Sequence, residues 1–436
     1  MSRRQQLAVA LWLALLIVYV LAGVDLAPFH GDEALQIRSS VDFATLFIDG
    51  DSAALGVRPD DPRSASSDRR LLQGSINPWT IGLAWHLAGH GSENLPPEPG
   101  WDWAQDYDTN LALGLRPAPQ LLLISRYPSA LFFALSVPLL YAIAWRLGGN
   151  RTALLASGLY ALHPALLLNG RRALMEGPLL FFGLLTICCA LMILRHGDRP
   201  GRRWWLALAL SGGLALASKH SALLFLGGAL AWLCLAALLP RDRQALLTTA
   251  RRCVLSGALA LTVFLALSPA LWPDPWGVLQ RLVQVRSDLL EVQVRSLQPG
   301  GVGMSLAERL DQVLTQPYLR SAMFYEVASW SEYEAITAEI EIWRGSPLTG
   351  MPVNPMTGGF LSLLSLAGLA QIRRKPEQVG LLAWLALTLV VLLLNPLPWQ
   401  RYYLPLLPIT CLLAALGMTG LLRRATLWRS KMLQEK

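Results

Sequence analysis

The sequence predicts an α-helical polytopic membrane protein. Of its 436 residues, 53% are hydrophobic and 15% are charged, and the mean hydropathy is +0.41. A soluble domain carries about 25% charged residues, and apolar stretches long enough to cross a bilayer recur through this chain. About ten spans are predicted, near 7–24, 121–145, 152–169, 174–194, 204–218, 221–239, 253–270, 357–371, 379–395 and 402–422.

Basic residues are distributed unequally between the two sides of these spans. With the N-terminus inside, the predicted cytoplasmic segments hold 20 Lys and Arg residues, whereas the short outer turns hold four: Arg171, Arg172, Lys219 and Arg401. The positive-inside rule therefore predicts that both termini are cytoplasmic. The asymmetry explains the net charge of +8, so the basic balance indicates topology and contact with a lipid bilayer, not a nucleic-acid partner.

Two outer loops, 25–120 and 271–356, are too long to be simple connectors. The first holds 14 acidic residues and 6 Arg, and the second holds 10 acidic residues and 6 Arg. Apolar residues at helical spacing predict membrane-surface helices over about 71–87 and 276–295. We expect both loops to belong to a single membrane-embedded domain that spans residues 1–436.

The acidic pair Asp32 and Glu33 follows the first span by a few residues, at a predicted membrane–water interface. Ionised groups are costly in such places unless they have a task. A carboxylate held within hydrogen-bond reach can act as a general base, and its neighbour can bind a cation or tune its pKa. The alternative is a solvated charge pair at the end of a span.

Other polar residues fall on the same predicted face, in turns or at the outer ends of spans: Arg126, Arg171, Glu176, Lys219, His220, Arg401 and Tyr402. Arg and Lys bind phosphate, which makes the three Arg residues and Lys219 candidates for that role. His220 is a candidate ligand of a divalent metal together with Glu33. The alternatives are an internal Arg–Glu pair, a snorkelling Lys and an interfacial aromatic belt. No glycine-rich nucleotide motif is present, so no nucleotide cofactor is expected.

These residues lie in motifs that resemble a known family. The motifs are His30-Gly31-Asp32-Glu33, Arg126-Tyr127-Pro128-Ser129-Ala130, the middle run 121–240 with Arg171 to Glu176 and Ser218-Lys219-His220, and Arg401-Tyr402-Tyr403-Leu404-Pro405. In them the chain is similar to the polytopic GT-C class of glycosyltransferases. More narrowly it resembles glycosyltransferase family 39, the superfamily of protein O-mannosyltransferases and aminoarabinose transferases.

The resemblance implies an enzyme that transfers a hexosyl or pentosyl group from a polyprenyl-phosphate donor of the dolichyl or undecaprenyl type. Transfer would invert the anomeric carbon on the non-cytoplasmic face of a membrane, and we expect a bacterial inner membrane. By this resemblance Asp32 is the base, while Lys219, Arg401 and Arg171 hold the departing phosphate. The acceptor remains open between a protein, a lipid and a polysaccharide.

Two other functions fit the same composition. A transporter or flippase of lipid-linked sugars would place its charges near the bilayer midplane and contain an inverted repeat, whereas the charges here gather at one face. An oligosaccharide ligase or polymerase would use the same chemistry on a larger lipid-linked donor.

Overall fold

The computed structural model describes residues 2–195, 201–240, 242–326, 330 and 332–434, and within them the chain is helical without a strand. The α-helices are α1 (Arg3–Ala22), α2 (Gly31–Ser39), α3 (Val41–Phe43), α4 (Ala65–Leu72), α5 (Ile76–Leu87), α6 (Tyr107–Ala112), α7 (Pro119–Gly148), α8 (Asn150–Ala161), α9 (Pro164–Arg171), α10 (Glu176–Arg195), α11 (Arg202–Ser218), α12 (Leu223–Leu238), α13 (Arg243–Ala266), α14 (Pro275–Leu297), α15 (Leu306–Thr315), α16 (Glu334–Gly345), α17 (Pro355–Leu369), α18 (Pro376–Leu394), α19 (Gln400–Tyr403) and α20 (Leu407–Gln434).

The predicted membrane class is confirmed. In the described part of the chain, seven helices are long and apolar enough to span a bilayer: α1, α7, α10, α12, α13, α18 and α20, with α12 and α20 extended by short helical turns before them. An eighth span results if α8 and α9 are counted together. Two of the ten predicted spans fall on the shorter helices α11 and α17, so the predicted number is approximate.

The predicted span 152–169 is bent. Helices α8 and α9 meet at an angle of 58°, and Pro164 opens α9. Proline disfavours helical geometry in the residue before it and cannot donate a backbone hydrogen bond. The break at Leu162 and His163 follows directly from this sequence.

The spans pack through small residues. Helix α7 contacts α1, α8 and α10, while α12 packs on α18 and α17 packs on α20. At the α17–α20 crossing, a Cβ on Gly368 would overlap the carbonyl of Leu413, and a Cβ on Gly417 would overlap that of Leu364. Glycine at both positions lets the two backbones approach closely, as is common between membrane helices.

The two long loops, 25–120 and 271–356, pack together over one end of the spans. The predicted helix 276–295 is confirmed as α14, whereas the predicted helix 71–87 is divided into α4 and α5. At the division, a Cβ on Gly74 would overlap the carbonyls of Ala217 and Ser218 at the end of α11. Helix α14 packs on α4, and Arg281 of α14 donates to backbone carbonyls of the first loop.

Candidate active site

Helix α2 begins at the acidic pair because its first turn is capped from both directions. The Asp32 N–H donates to His30 Nδ1 at 3.1 Å, and the His30 N–H donates to Glu33 Oε2 at 3.0 Å. Carboxylates in a first turn also interact favourably with the positive end of the helix. A Cβ on Gly31 would overlap the indole of Trp101, so the motif needs glycine there. The cap fixes the backbone at Asp32.

Asp32 is the acid of the pair that remains accessible. Its Oδ2 lies 2.7 Å from Arg401 Nη1, its Oδ1 accepts from Trp103 Nε1 at 2.9 Å, and its side chain is 26% exposed. Burial raises the pKa of Asp32, but the Arg401 guanidinium and His30 together outweigh burial and hold this pKa below its ordinary value of 3.8. Asp32 is therefore a carboxylate at neutral pH, with one cation beside it.

Glu326 completes this group from the second long loop. Its Oε1 accepts from Arg401 Nε at 2.6 Å, and its Oε2 lies 2.7 Å from His30 Nε2. Since His30 Nδ1 already accepts a backbone N–H, Nε2 carries the proton and donates to Glu326. Burial raises the pKa of Glu326, and Arg401 and His30 outweigh it, so this pKa lies well below its ordinary range. Arg172 braces the segment by donating to the Phe324 carbonyl.

Glu33 has a structural position that differs from the sequence prediction. It is fully buried, and it accepts from Arg126 Nε and Nη2 at 2.8 and 2.9 Å, from the Ala173 N–H at 2.9 Å and from the His30 N–H. Burial raises the pKa of Glu33, but Arg126, Arg172 and the Ala173 N–H together outweigh burial and hold this pKa below its ordinary value of 4.5. The pair joins α2 to α7, and the donor-phosphate role of Arg126 stays a prediction.

Arg171 also makes structural contacts, and its predicted phosphate role stays a prediction. Its guanidinium is buried between the end of α1 and the chain after α16, where it donates to the backbone carbonyls of Tyr19, Val20 and Leu348. A Cβ on Gly23 would lie 2.5 Å from Arg171 Cζ, so the guanidinium occupies the space that a larger residue would need. Arg171 stabilises the chain path from α1 towards α2.

A cavity of about 310 Å³ opens beside Asp32 and Arg401. Its wall carries further cations from different elements: Arg69 of α4, Lys219 after α11 and Arg286 of α14. A neighbouring cavity of about 250 Å³ shares the Asp32–Arg401 pair and is mostly apolar. The pair therefore lies where a cationic space meets an apolar one.

The remaining predicted residues gather on the wall of the 310 Å³ cavity. Lys219 Nζ lies 2.6 Å from Glu176 Oε1, and the Glu176 carboxylate is almost completely buried. His220 lies edge-on to Phe264, with ring centroids 5.9 Å apart. Tyr402 stacks on Trp399, and both line the cavity. Thus the structure brings six predicted residues together and separates three from them, Glu33, Arg126 and Arg171.

Sequence reasoning missed several residues of this site. Glu326 and Arg286 lie in the second long loop, where the family motifs are weak, and no local pattern singles out Glu326. Trp103 lies in the first long loop, outside the family motifs. His30 lies two positions before Asp32. This closeness in sequence was the signal that could have identified His30 as a residue of the site.

The predicted metal site does not fit these residues. Every oxygen of Glu33 already accepts hydrogen bonds from protein donors, so Glu33 has no lone pair directed at a cation shared with His220. In the residues that the structure describes, no group of three or more His, Cys, Asp or Glu side chains is arranged to hold a metal ion.

Part of the chain matches a protein-family model. Residues 117–273 match the family described as dolichyl-phosphate-mannose-protein mannosyltransferase. This segment runs from α7 to just past α13 and contains Glu176, Lys219 and His220. No curated protein sequence matches the chain.

Solved membrane-protein structures share the fold. ArnT from Cupriavidus metallidurans, bound to undecaprenyl phosphate, aligns with a TM-score of 0.52 and 17% identity over 94% of this chain and 60% of that one. Its apo state gives a TM-score of 0.54, also at 17% identity, over 95% and 60%. The archaeal oligosaccharyltransferase AglB from Archaeoglobus fulgidus, with an inhibitory peptide and a dolichol-phosphate, aligns with a TM-score of 0.52 and 13% identity over 98% and 52%.

The chain spans about three fifths of the length of ArnT and about half that of AglB. At these identities the likeness shows the fold, and the family match covers the middle of the chain. Together they confirm the resemblance found in the motifs: the chain shares the fold of the GT-C glycosyltransferases, and its residues 117–273 match the model of the dolichyl-phosphate-mannose-protein mannosyltransferase family.

Proposed function

We propose that this protein is a membrane glycosyltransferase that moves a sugar from a polyprenyl-phosphate donor to an acceptor hydroxyl or amine. The observation that carries the proposal is the position of Asp32, an accessible carboxylate on the wall of a cavity that also carries Lys219, Arg286 and Arg401. Such a transfer needs a proton acceptor and positive charge at the leaving phosphate. The ArnT structure of the same fold was solved with undecaprenyl phosphate, which supports a lipid-phosphate donor.

In the proposed reaction, the acceptor oxygen or nitrogen forms a bond to the sugar C1 while its proton passes to Asp32. The bond between C1 and the phosphate oxygen breaks, and the electron pair leaves with the polyprenyl phosphate. Attack opposite the leaving group inverts the anomeric carbon. Lys219, Arg286 and Arg401 stabilise the charge that develops on the phosphate, because they are already in place before the bond breaks.

The ion pair between Arg401 and Asp32 couples these two events. A carboxylate beside a guanidinium is a weak base because the cation favours its ionised form. A donor phosphate that attracts Arg401 weakens this contact and raises the proton affinity of Asp32. Glu326 remains bound to the other side of the guanidinium and limits how far Arg401 moves. Donor binding thus prepares the base.

We place the reaction on the non-cytoplasmic face of a bacterial inner membrane. The support is the charge bias of the short loops, together with the position of the cavity at the end of the spans that the two acidic loops cover. A donor used there must carry its energy in the lipid-linked sugar phosphate itself. The acceptor class is to be identified among proteins, lipids and polysaccharides.

The test is sugar transfer by the purified full-length protein with a panel of radiolabelled undecaprenyl- and dolichyl-phosphate sugars. Asp32→Asn should lower turnover by about 10²–10⁴-fold while donor binding persists. Glu341→Gln, which changes an exposed carboxylate of α16, is the matched control and should behave as wild type.

Two results would contradict the proposal. Activity of Asp32→Asn within a few-fold of wild type would remove Asp32 from the mechanism. Movement of lipid-linked sugar across a vesicle membrane, with no release of polyprenyl phosphate, would identify a flippase instead.

A further inference from the structure

A cavity of about 560 Å³ opens at the opposite end of the bundle from Asp32, between the end of α7, the turn from α17 to α18 and the last turns of α20. Helix α7 connects the two sites. Near the start of α7, Arg126 contacts Glu33, and near the end of α7, Arg146 lines this cavity. Twenty residues of helix cover about 30 Å. The cavity is therefore independent of the candidate active site.

The cavity wall is strongly cationic. Its basic residues are Arg146, Arg373, Lys375, Arg423 and Arg424, and no acidic residue lines it. None of the five forms an ion pair with a carboxylate in the described residues. Like charges gathered around one space repel each other. Membrane topology explains why basic residues occur at this end, but not why five of them surround a cavity.

Hydrogen bonds hold the walls in place. Gln378 Nε2 donates to the Leu147 carbonyl at 3.1 Å and Gln378 Oε1 accepts from the Arg373 N–H at 2.9 Å, which ties the α17–α18 turn to the end of α7. Gln371 Nε2 donates to the carbonyls of Ala367 and Gly417 and ties the same turn to α20. The cationic space is therefore preformed.

Part of the remaining lining is apolar and continues onto the outside of α20. Leu147, Ile372 and Leu416 contribute to the wall together with Leu427, and the next residue along α20, Trp428, is 67% exposed. Tryptophan is enriched at membrane interfaces. A ligand with a phosphate and attached acyl chains matches both parts, whereas a free phosphate matches only the cations.

We propose that this cavity binds the headgroup of an anionic phospholipid, with the phosphate among the five cations and the acyl chains along α20. Arginine recognises phosphate through paired hydrogen bonds, and basic pockets between membrane helices bind anionic headgroups. A volume of about 560 Å³ is within the range of ordinary ligand sites. The bound lipid fastens α7, α17, α18 and α20 together at this end of the bundle.

Native mass spectrometry of the full-length protein in neutral detergent tests the proposal, with phosphatidylglycerol and phosphatidylcholine of equal chain length as probes. Wild type should retain phosphatidylglycerol and not phosphatidylcholine. The triple variant Arg146→Gln, Arg423→Gln, Arg424→Gln should retain at least about tenfold less. The matched control Arg243→Gln, Arg251→Gln, Arg252→Gln removes as many charges from α13, which does not line the cavity, and should retain the lipid like wild type.

Two further controls test whether the site binds a phospholipid or free phosphate, and whether the loss of lipid comes from misfolding. Millimolar inorganic phosphate at matched ionic strength should neither displace the lipid nor raise the unfolding temperature. If phosphate alone does both, the site takes a free anion and the lipid assignment is wrong. The variant Arg423→Lys, Arg424→Lys keeps the charges and should keep the lipid. Equal retention by wild type and the glutamine variant would overturn the site altogether.

Discussion

The Glu33–Arg126 pair makes a sharp prediction, because sequence and structure assign Glu33 different tasks. Glu33 is 0% exposed and the Arg126 side chain is 4% exposed, so Glu33→Gln leaves a buried guanidinium without a compensating charge. Breaking a buried pair by removing one partner costs about 3–5 kcal/mol. The glutamine amide would also face donors, since every Glu33 contact is an N–H.

Thermal unfolding of the purified protein measures this cost. For a chain of 436 residues, the entropy of unfolding is about 0.9 kcal/mol/K, so the midpoint should fall by about 3–5 °C. The unfolding midpoint of the Arg126→Gln variant should fall by a similar amount. The double variant Glu33→Gln, Arg126→Gln should lose less free energy of unfolding than the two single variants lose together. The difference, which is the coupling energy of the pair, should be at least about 1 kcal/mol.

One combination of results would refute this reasoning. If Glu33→Gln unfolded at the wild-type temperature and yet lost sugar transfer, Glu33 would act in the chemistry and not as a clamp. Restoration of that activity by added divalent ions would support the metal role predicted from the sequence. The control is Glu98→Gln, which alters a carboxylate with two Arg partners at a more exposed position, where the cost of losing an ion pair is about 0–1 kcal/mol.

Three further predictions concern the cavity and its side of the membrane. Lys219→Gln and Arg286→Gln should each lower donor kcat/KM by about 10²–10³-fold with little change in acceptor KM, and an unchanged donor kcat/KM would disprove the phosphate role. Arg401→Gln removes the cation that lowers the pKa of Asp32. Burial then raises this pKa, so the acid limb of the pH–rate profile should move to higher pH. An acid limb that does not move would contradict the role of Asp32 as the base. Cysteine at Asp60 should react with an impermeant maleimide from outside and cysteine at Glu377 should not, above the background of the native cysteines, and the reverse labelling would invert the topology.

Membrane class and the positions of most helices were predictable because both depend on local composition. An apolar stretch of about 20 residues must be helical in a bilayer, where no water satisfies its backbone. The same local reasoning predicted α14 in the second loop from its alternating apolar and charged residues. It failed at Gly74, where a close contact with the end of α11 divides the predicted helix into α4 and α5.

The candidate site was predictable only in part. Asp32, Lys219 and Arg401 were singled out because the predicted topology puts them at one face of the membrane. The sequence could not tell which of its charged residues would be reachable and which would be buried as clamps. Arg401, Arg171 and Arg126 all occur near the ends of predicted spans, yet only Arg401 lines the cavity beside Asp32.

The tertiary structure made that decision, because the task of a charged residue depends on its partner. Glu33 pairs with a residue 93 positions away, and Glu326 reaches His30 across 296 positions. Hydropathy is a property of neighbouring residues along the chain and so determined the class of this protein from its sequence. Ion pairs join residues that are distant in sequence, and only the folded chain brings them within 3 Å of one another.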